Sequence, residues 1–419
     1  MYIYIPIEGM PCFVSSLDTD RESQGILANL SCYESSYGKK LAGTGWRGQL
    51  TDEGIQQMLA LGQRLRRRYI QELSFLPPVM LASNNSSSSN RLLYTSTNYA
   101  RCIFSADALL QGLFKSGGGL VPIFVDQART PYYGNPGCER WAKVVSKSNT
   151  DWIKALDSDE FLQLKRAIFK RYNSNYNDSD SDTDTDSTNT TIKTIVDNNL
   201  FYDAIVCRLA HNLDLLPLPL PLPLKEQQIN ESNKQKMKAE EEKQVFGKYC
   251  KYSHARMIRY RSRNRQTMRY CCGVLLHKLA REMAVCEGLF HISSCHDVTI
   301  VNLLIALSNA NSEGAIAGLE QELGILWPGY ADCLVFEVWE RKKKNEEGGG
   351  KADELLWLRL KQCLLGIGSV KCRYVRVMYN DKCVHLRDGE QFIELAELKG
   401  MWLDLMVSEA EFWAKDCVC

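Results

Sequence analysis

The sequence predicts an α/β protein with a mostly parallel sheet flanked by helices and a smaller helical cap domain. Short apolar strands alternate with segments of helical length, and polar residues directly follow two of those strands. Because ligands of such sheets bind at the carboxyl ends of the strands, we expect function at these junctions. The length of 419 residues leaves room for a second unit beside one α/β core.

The first regular element is a helix that begins after Thr51. Apolar residues recur at helical spacing from Ile55 to Tyr69, and Thr51 is placed to cap the helix. Asp52 and Glu53 suit its positive end. Its polar face carries four arginines, namely Arg64, Arg66, Arg67 and Arg68. We interpret this arginine face as solvated, with attraction of phosphate as the alternative.

The remaining elements alternate between strands and helices, which indicates parallel pairing. Strands are predicted at Leu92–Thr97, Val121–Val125, Gly288–Ser294, Leu334–Trp339 and Val375–Tyr379. Helices are predicted at Asn98–Phe114, Trp152–Tyr172, Met268–Cys286 and Val298–Leu307.

Four segments have the composition of loops inserted into this body: Ser83–Asn90, Asn173–Thr191, Pro217–Gln244 and Lys342–Lys351. Polar, acidic and proline-repeat sequences bury too little apolar surface to offset chain entropy. The acidic run Asp178–Asp186 could bind metal ions, but a solvated loop is the favoured interpretation.

Composition excludes several function classes. A formal net charge of +1 provides no field that would steer the molecule onto nucleic acid. No uncharged apolar run reaches about 18 residues, so we predict no membrane span. The sixteen cysteines show no paired CxxC spacing, which disfavours zinc, and we expect free thiols at Cys271 and Cys272 and in or beside the apolar runs at Cys207, Cys295, Cys333 and Cys383. The first residues, MYIYIPIEGMPC, do not have the pattern of a signal peptide.

The sequence STNYAR is the first candidate site. Ser96 and Thr97 end a predicted strand, and Arg101 lies in the first turn of the following helix. Helix N-terminal amides and a guanidinium fork together form an oxyanion site. The alternative is an arginine that is merely exposed.

The second candidate is SCHDVT, where His296 and Asp297 follow a predicted buried strand and precede an apolar helix. An imidazole and a carboxylate side by side can bind an anion and supply a proton, as cleavage of a phosphomonoester requires. The alternatives are a capping aspartate and a structural histidine.

Together the two junctions resemble those of the histidine acid phosphatases, most closely the lysophosphatidic acid phosphatase branch. The matching segments occur in the same order along most of the chain. They are Gly48–Tyr69, Ser96–Phe114, Cys207–Asn212 (CRLAHN), Cys295–Ile300 (CHDVTI), Leu326–Glu340 (LWPGYADCLVFEVWE) and Val375–Leu386 (VRVMYNDKCVHL).

The resemblance implies a phosphoglycerate mutase-like fold and a phosphohistidine mechanism without metal or other cofactor. It assigns Arg101 to phosphate binding, His296 to phosphate binding and charge stabilisation, and Asp297 to protonation of the leaving oxygen. Charged donors offset the phosphate oxygens, and an acid prevents a poor alkoxide from leaving. His211 matches a position in the family's helical domain and is interpreted as structural.

Two departures from the family pattern concern the site. Thr95 stands where the family commonly shows an arginine, so one phosphate contact is expected to be missing. The nucleophile of the family belongs to an Arg-His-Gly-x-Arg-x-Pro motif on the first strand, and residues 1–49 contain no histidine. The Ala128–Pro131 segment imitates only the end of that motif. The other four histidines, His254, His277, His291 and His385, do not fit the role.

We therefore predict that the first strand is missing or replaced, with MYIYIPI a candidate for its place. The predicted division is an irregular segment 1–49, an α/β domain of 50–126 and 287–415, and a cap domain of 127–286 with insertions at 173–191 and 217–244.

The function expected is an acid phosphomonoesterase acting on a small phosphomonoester, with lysophospholipids among the candidates. We expect the motif to lie upstream in the true protein and this chain to be inactive as written. The alternatives are a non-catalytic relative that binds phosphate ligands or a protein, and a phytase-like specificity. Oligomeric state stays open, as does localisation, which includes the secretory pathway, lysosome or another organelle.

Overall fold

The computed structural model describes residues 12–15, 50–78, 91–97, 99–114, 121–125, 138–144, 211, 265–285, 289–308, 328–340, 373–386 and 390–417. Several expectations lie outside these residues: the MYIYIPI strand, the helix Trp152–Tyr172, the four insertions and Cys207.

Within the described residues, the first sheet has four strands in the order β1-β3-β2-β4. Their bounds are β1 Cys12–Ser15, β2 Arg91–Ser96, β3 Val121–Val125 and β4 Leu289–Ser294. Strand β2 pairs in parallel with both β3 and β4, and β1 pairs antiparallel with β3 at the edge. The predicted parallel sheet is thus confirmed for β3, β2 and β4.

The later strands form a separate sheet, and here the structure differs from the expected continuation of the parallel sheet. Its members are β5 Leu334–Glu340, β6 Arg373–Tyr379, β7 Lys382–Val384 and β8 Ile393–Glu394. All their pairings are antiparallel. Between β6 and β7, Asn380 and Asp381 have φ of 45° and 66°. Two consecutive positive φ values form the tight turn that matches the twist of a hairpin.

Helices cover both sheets. Their bounds are α1 Asp52–Arg66, α2 Ala100–Leu113, α3 Arg265–Val285, α4 Asp297–Leu307, α5 Leu395–Trp402 and α6 Glu409–Glu411. Helix α1 continues as a π-helical turn over Arg67–Glu72, and α6 continues as another over Phe412–Asp416. The predicted N-cap of α1 is confirmed, because Thr51 Oγ1 accepts a hydrogen bond from Gly54 N at 3.2 Å.

Helices α1 and α2 pack against each other through two glycines. A Cβ on Gly62 would lie 2.2 Å from the carbonyl oxygen of Leu109, and one on Gly112 would lie 2.2 Å from that of Leu59. Neither position has space for a side chain, so the two backbones approach closely. This packing fixes α2, and with it the residues at the start of α2, against the core of the first sheet.

A second core lies between α3, α4, α5 and the antiparallel sheet, with Trp402 fully buried inside it. A disulfide joins Cys138, beside a short helical segment at residues 139–144, to Cys417 near the C-terminus. Cys271, Cys272, Cys295, Cys333 and Cys383 carry thiols and not disulfide bonds, as expected. Of the described helices, none combines the length and the apolar character needed to cross a membrane. The proposed domain boundaries stay a prediction.

The arginine face of α1 is only partly solvated. Arg66 donates to the carbonyl oxygen of Leu113 at 2.9 Å, and Arg64 lies 3.7 Å from a carboxylate oxygen of Asp381. Arg67 remains exposed. The interpretation of the whole face as solvated was therefore wrong for Arg66 and Arg68, whose side chains bond to neighbouring elements, whereas the side chain of Arg64 is 40% exposed.

Arg68 belongs to a buried charged group that we call the Glu337 cluster. Glu337 accepts hydrogen bonds from Arg68 Nε at 2.6 Å, from the Tyr69 hydroxyl at 2.8 Å, and from Arg376 Nε and Nη2 at 2.8 and 2.6 Å. Trp339 Nε1 donates to it at 3.3 Å. Burial would raise the pKa of Glu337, but the bonds from Arg68, Arg376 and Tyr69 lower it to about 2. The cluster joins the end of α1 to the antiparallel sheet.

Candidate active site

The two predicted strand-to-helix junctions lie side by side. Strands β2 and β4 are in register so that Ser96 is opposite Ser294. Thr97 N donates to the carbonyl oxygen of Ser294 at 3.1 Å, and Ser294 Oγ donates to that of Cys102 at 2.8 Å. The first bond joins the ends of the two strands and the second joins the end of β4 to α2, so helices α2 and α4 begin from one shared edge. We call Tyr99, Arg101, His296 and Asp297 at this edge the β2–β4 junction.

Both helices direct their N-terminal ends to this edge. Tyr99 is the N-cap residue of α2 and His296 is that of α4, and neither cap is made by its own side chain in the described part of the chain. Helix N-termini carry a partial positive charge and backbone donors that favour anions. The junction is therefore a place where an anion would be stabilised.

Arg101 and His296 meet around the ring of Tyr99. The guanidinium carbon of Arg101 lies 4.8 Å from the centroid of the Tyr99 ring. The imidazole of His296 lies 4.9 Å from that centroid, with the two rings at 88° to each other. Within the described residues, Arg101 forms no ion pair with a carboxylate, and its side chain is exposed. Two groups that can carry positive charge are thus held beside one aromatic ring at this edge of the sheet.

Asp297 stands next to His296 in the first turn of α4 and is exposed. One of its carboxylate oxygens, Oδ1, accepts a hydrogen bond from Val298 N at 2.8 Å. This contact orients the side chain at the start of the helix. An exposed carboxyl group in that position can exchange a proton with a bound ligand.

The pKa of His296 is lowered. Partial burial is the main cause, the positive charge of Arg101 acts in the same direction, and Asp297 opposes both. A dianionic ligand between Arg101 and His296 would favour the imidazolium and so raise the pKa of His296 again. Ligand binding and protonation of His296 are therefore expected to be coupled.

Thr95 stands at the position where the family commonly shows an arginine. It adds no charge to the junction. It is buried, and its Oγ1 lies 2.8 Å from Nε2 of His291 on β4. Nδ1 of the same imidazole lies 4.0 Å from Glu282 on α3. Burial lowers the pKa of His291 well below its ordinary value, so this imidazole is neutral. The support beneath the junction is thus an uncharged hydrogen bond.

Of the residues predicted for the site, Arg101 and His296 are brought together around Tyr99, and Asp297 lies beside them in sequence. His211 lies elsewhere, at the start of α1, with its Nε2 3.4 Å from Thr51 Oγ1. Tyr99 was missed by sequence reasoning, although it lies inside STNYAR, because an aromatic residue before a helix carries no distinctive signal. No group of three or more histidine, cysteine, aspartate or glutamate residues in the described ranges is arranged to hold a metal ion.

Curated proteins with similar sequences include acid phosphatases. The chain is 38% identical over 99 residues to mouse "Lysophosphatidic acid phosphatase type 6", which is 23% of this chain and 22% of that protein. It is 32% identical over 125 residues to "Putative acid phosphatase 10" of Caenorhabditis elegans, covering 30% and 28% of the two chains. The first of these alignments spans about a fifth of the relative's length, and the second under a third.

Solved structures that align with this one include two phytases. That of Klebsiella sp. ASR1 gives a TM-score of 0.49 at 14% identity, over 91% of this chain and 92% of that one. That of Citrobacter braakii gives 0.39 at 14% identity, over 94% and 97%. The sequence profile of the histidine phosphatase superfamily (branch 2) matches residues 15–380, which is most of the chain. The chain belongs to that superfamily.

Proposed function

We propose that the β2–β4 junction binds the phosphate group of a small phosphomonoester, in a site of the histidine acid phosphatase type. Arg101 and His296 are the phosphate ligands, and Asp297 supplies the proton for the leaving oxygen. The observation that carries this proposal is that Arg101 and His296 contact the same ring at the edge where two helix N-termini meet. Phosphate is the ligand that best fits a guanidinium, an imidazole and helix amides together.

Turnover requires a nucleophile in addition to this site. The family's Arg-His-Gly motif does not occur in the 419 residues. If catalytic residues act as a unit, loss of the nucleophile removes about 10⁶ in rate, by analogy with triad variants. We propose that the 419-residue chain binds phosphate without turnover at the rate of an intact acid phosphatase. A non-catalytic phosphate-binding role is the second candidate, and the same missing motif favours it.

A lysophospholipid is the substrate class that we propose first. The support is the similarity to lysophosphatidic acid phosphatases, whose matched region is 38% identical. A compact polyphosphate such as phytate is the alternative. Lysophosphatidic acid should compete with inorganic phosphate for the junction, and phytate should compete less well under the same conditions.

The direct test is calorimetric titration of inorganic phosphate into the purified chain at acid pH. We expect saturable binding, and a loss of about 10- to 100-fold in affinity for Arg101→Ala and for His296→Ala, because each removes a charge-assisted hydrogen bond. Arg67→Ala is the matched control, because Arg67 is also an exposed arginine but lies on α1 outside the junction. Equal affinity in all four proteins would refute the proposed site.

Hydrolysis of p-nitrophenyl phosphate by the same preparation separates the two roles. Release of p-nitrophenol that Asp297→Asn slows and Arg67→Ala leaves unchanged would establish an enzyme and exclude a purely binding role. Phosphate binding with no release above the buffer rate would identify this chain as a binder.

A further inference from the structure

We propose that Tyr99 is a positioning residue of the β2–β4 junction: its ring holds Arg101 and His296 at the spacing that one phosphate group requires. The inference rests on the proposed function and adds a residue to it. It starts from the two ring distances of 4.8 and 4.9 Å, which make Tyr99 a contact common to both ligands.

The backbone of Tyr99 is fixed independently of its ring. As the N-cap residue of α2 it is extended, with φ −129° and ψ 132°. Its amide donates to the carbonyl oxygen of Thr97 at 2.8 Å, and its own carbonyl oxygen accepts from Cys102 N and Ile103 N at 2.9 and 3.1 Å. The helix start therefore places the ring, and a substitution of the side chain leaves these backbone bonds available.

The ring joins groups from two different elements. Arg101 follows Tyr99 in α2, whereas His296 ends the loop after β4, and a change in the angle between the two helices would separate them. An aromatic face attracts a guanidinium, and an edge-to-face contact fixes the relative orientation of two rings. Both contacts restrict the rotamers of side chains that would otherwise be more mobile at an exposed edge.

The contact matters most in the absence of phosphate. Arg101 and a protonated His296 repel each other, and an exposed arginine samples many conformations. With its guanidinium over the Tyr99 ring, Arg101 loses less conformational freedom when phosphate binds. Preorganisation of this kind increases affinity without adding a contact to the ligand. Tyr99 thus acts on phosphate through Arg101 and His296.

The test compares Tyr99→Ala, Tyr99→Leu and Tyr99→Phe in the whole chain. We expect the affinity for inorganic phosphate to fall about tenfold in Tyr99→Ala and Tyr99→Leu, which lack the aromatic face, and to stay within about twofold in Tyr99→Phe. The leucine variant keeps an apolar side chain at the helix start, so it remains informative if the alanine variant folds poorly. Tyr330→Ala is the control, because Tyr330 is an exposed tyrosine on the loop before β5.

A second measurement detects positioning itself. In proton–carbon NMR spectra, the imidazole signal of His296 should lose the ring-current shift from Tyr99 in the alanine and leucine variants and keep it in the phenylalanine variant. The pKa of His296 should rise in Tyr99→Ala, because the ring no longer shields the imidazole from water. A role in stability alone would change the unfolding free energy but not this titration.

The outcomes separate the two proposals. If the wild-type chain binds phosphate and all three Tyr99 variants bind it equally well, the inference on Tyr99 is wrong and the proposed function stands. If the wild-type chain binds no phosphate, the proposed function fails and the inference fails with it. The inference is supported if the affinity for phosphate falls about tenfold in Tyr99→Ala and Tyr99→Leu but not in Tyr99→Phe, and if the His296 signal changes in the same two variants.

Discussion

The Glu337 cluster and the β2–β4 junction both place an arginine against an aromatic ring, but within the described residues only the arginines of the cluster are bonded to a carboxylate. Arg376 lies 5.3 Å from the centroid of the Trp339 ring and donates two hydrogen bonds to Glu337. Arg101 lies 4.8 Å from the Tyr99 ring and is exposed, with no carboxylate paired to it in the described part of the chain.

The difference concerns what each guanidinium is available to do. In the cluster, two arginines and a tyrosine satisfy one carboxylate whose side chain is only 5% exposed, so the charges are matched inside the protein. At the junction, no carboxylate of the described residues is bonded to Arg101, so its guanidinium is available to an anionic ligand. The matched charges at Glu337 stabilise the fold, whereas we propose that the guanidinium of Arg101 is kept for a ligand.

The largest expected effect is that of Glu337→Gln. Removing the carboxylate leaves Arg68 and Arg376 partly buried without a counter-charge, and breaking a buried pair costs about 3 to 5 kcal/mol. Denaturant unfolding followed by circular dichroism measures this. Glu340→Gln is the control on the same strand, because the Glu340 side chain is 33% exposed against 5% for Glu337, and we expect a smaller loss there. If the two variants lose the same unfolding free energy, the burial of Glu337 does not add to its stabilising effect.

The second prediction concerns acid. The pKa of Glu337 is about 2 in the folded protein against an ordinary 4.5, so the unfolded chain takes up a proton first as pH falls. Its stabilising contribution is therefore complete above pH 4.5 and is lost between pH 4.5 and pH 2, by up to about 3 kcal/mol. Unfolding free energies measured across that range should fall less steeply in Glu337→Gln than in the wild type. Parallel curves would exclude a titrating Glu337.

The third prediction concerns the uncharged contact between Thr95 and His291 beneath the junction. Thr95→Val removes the partner of a buried imidazole nitrogen and should cost about 1 to 2 kcal/mol, whereas the double variant Thr95→Val, His291→Leu should recover part of that loss, because the Nε2 atom that Thr95→Val leaves without a partner is then absent too. Unfolding free energies of the two single variants and the double variant measure the coupling. Strict additivity would mean that the 2.8 Å contact contributes nothing.

His291 adds a pH dependence of its own, in a range different from that of Glu337. Its pKa is lowered in the folded protein, so only the unfolded chain binds the proton as pH falls below the ordinary value of 6.5. Stability linked to His291 is complete above that pH and decreases below it. In His291→Leu this decrease between pH 6.5 and pH 5 should disappear, and an unchanged slope would contradict a buried neutral imidazole.

The parallel sheet and the two junctions could be predicted because local patterns encode them. An apolar run followed by STNYAR or SCHDVT marks both the end of a strand and the start of a helix, and the described bounds of β2, α2, β4 and α4 differ from the predicted ones by at most three residues. Polar residues at the ends of strands can be recognised from the local sequence alone, without knowledge of the rest of the fold.

Pairings between distant residues could not be predicted in the same way. Thr95 and His291 are 196 residues apart in sequence, and Arg68 and Glu337 are 269 apart. Nothing in either local sequence indicates the partner, because only the packing of whole elements brings them together. The separate antiparallel sheet was missed for the same reason: a strand pattern does not encode its neighbour.

The smallest expected effect is on the stability of Arg101→Ala, and it is the sharpest test of the comparison. If Arg101 is reserved for a ligand, its removal should change the unfolding free energy by no more than about 0.5 kcal/mol without phosphate, as for an ordinary surface residue. Arg68→Ala should be strongly destabilising, because it leaves the buried Glu337 with fewer donors. With saturating phosphate, the wild type should gain stability and Arg101→Ala should gain less, because only the state that binds the ligand is stabilised. A large loss in Arg101→Ala without phosphate would show that this arginine maintains the fold, as those of the Glu337 cluster do.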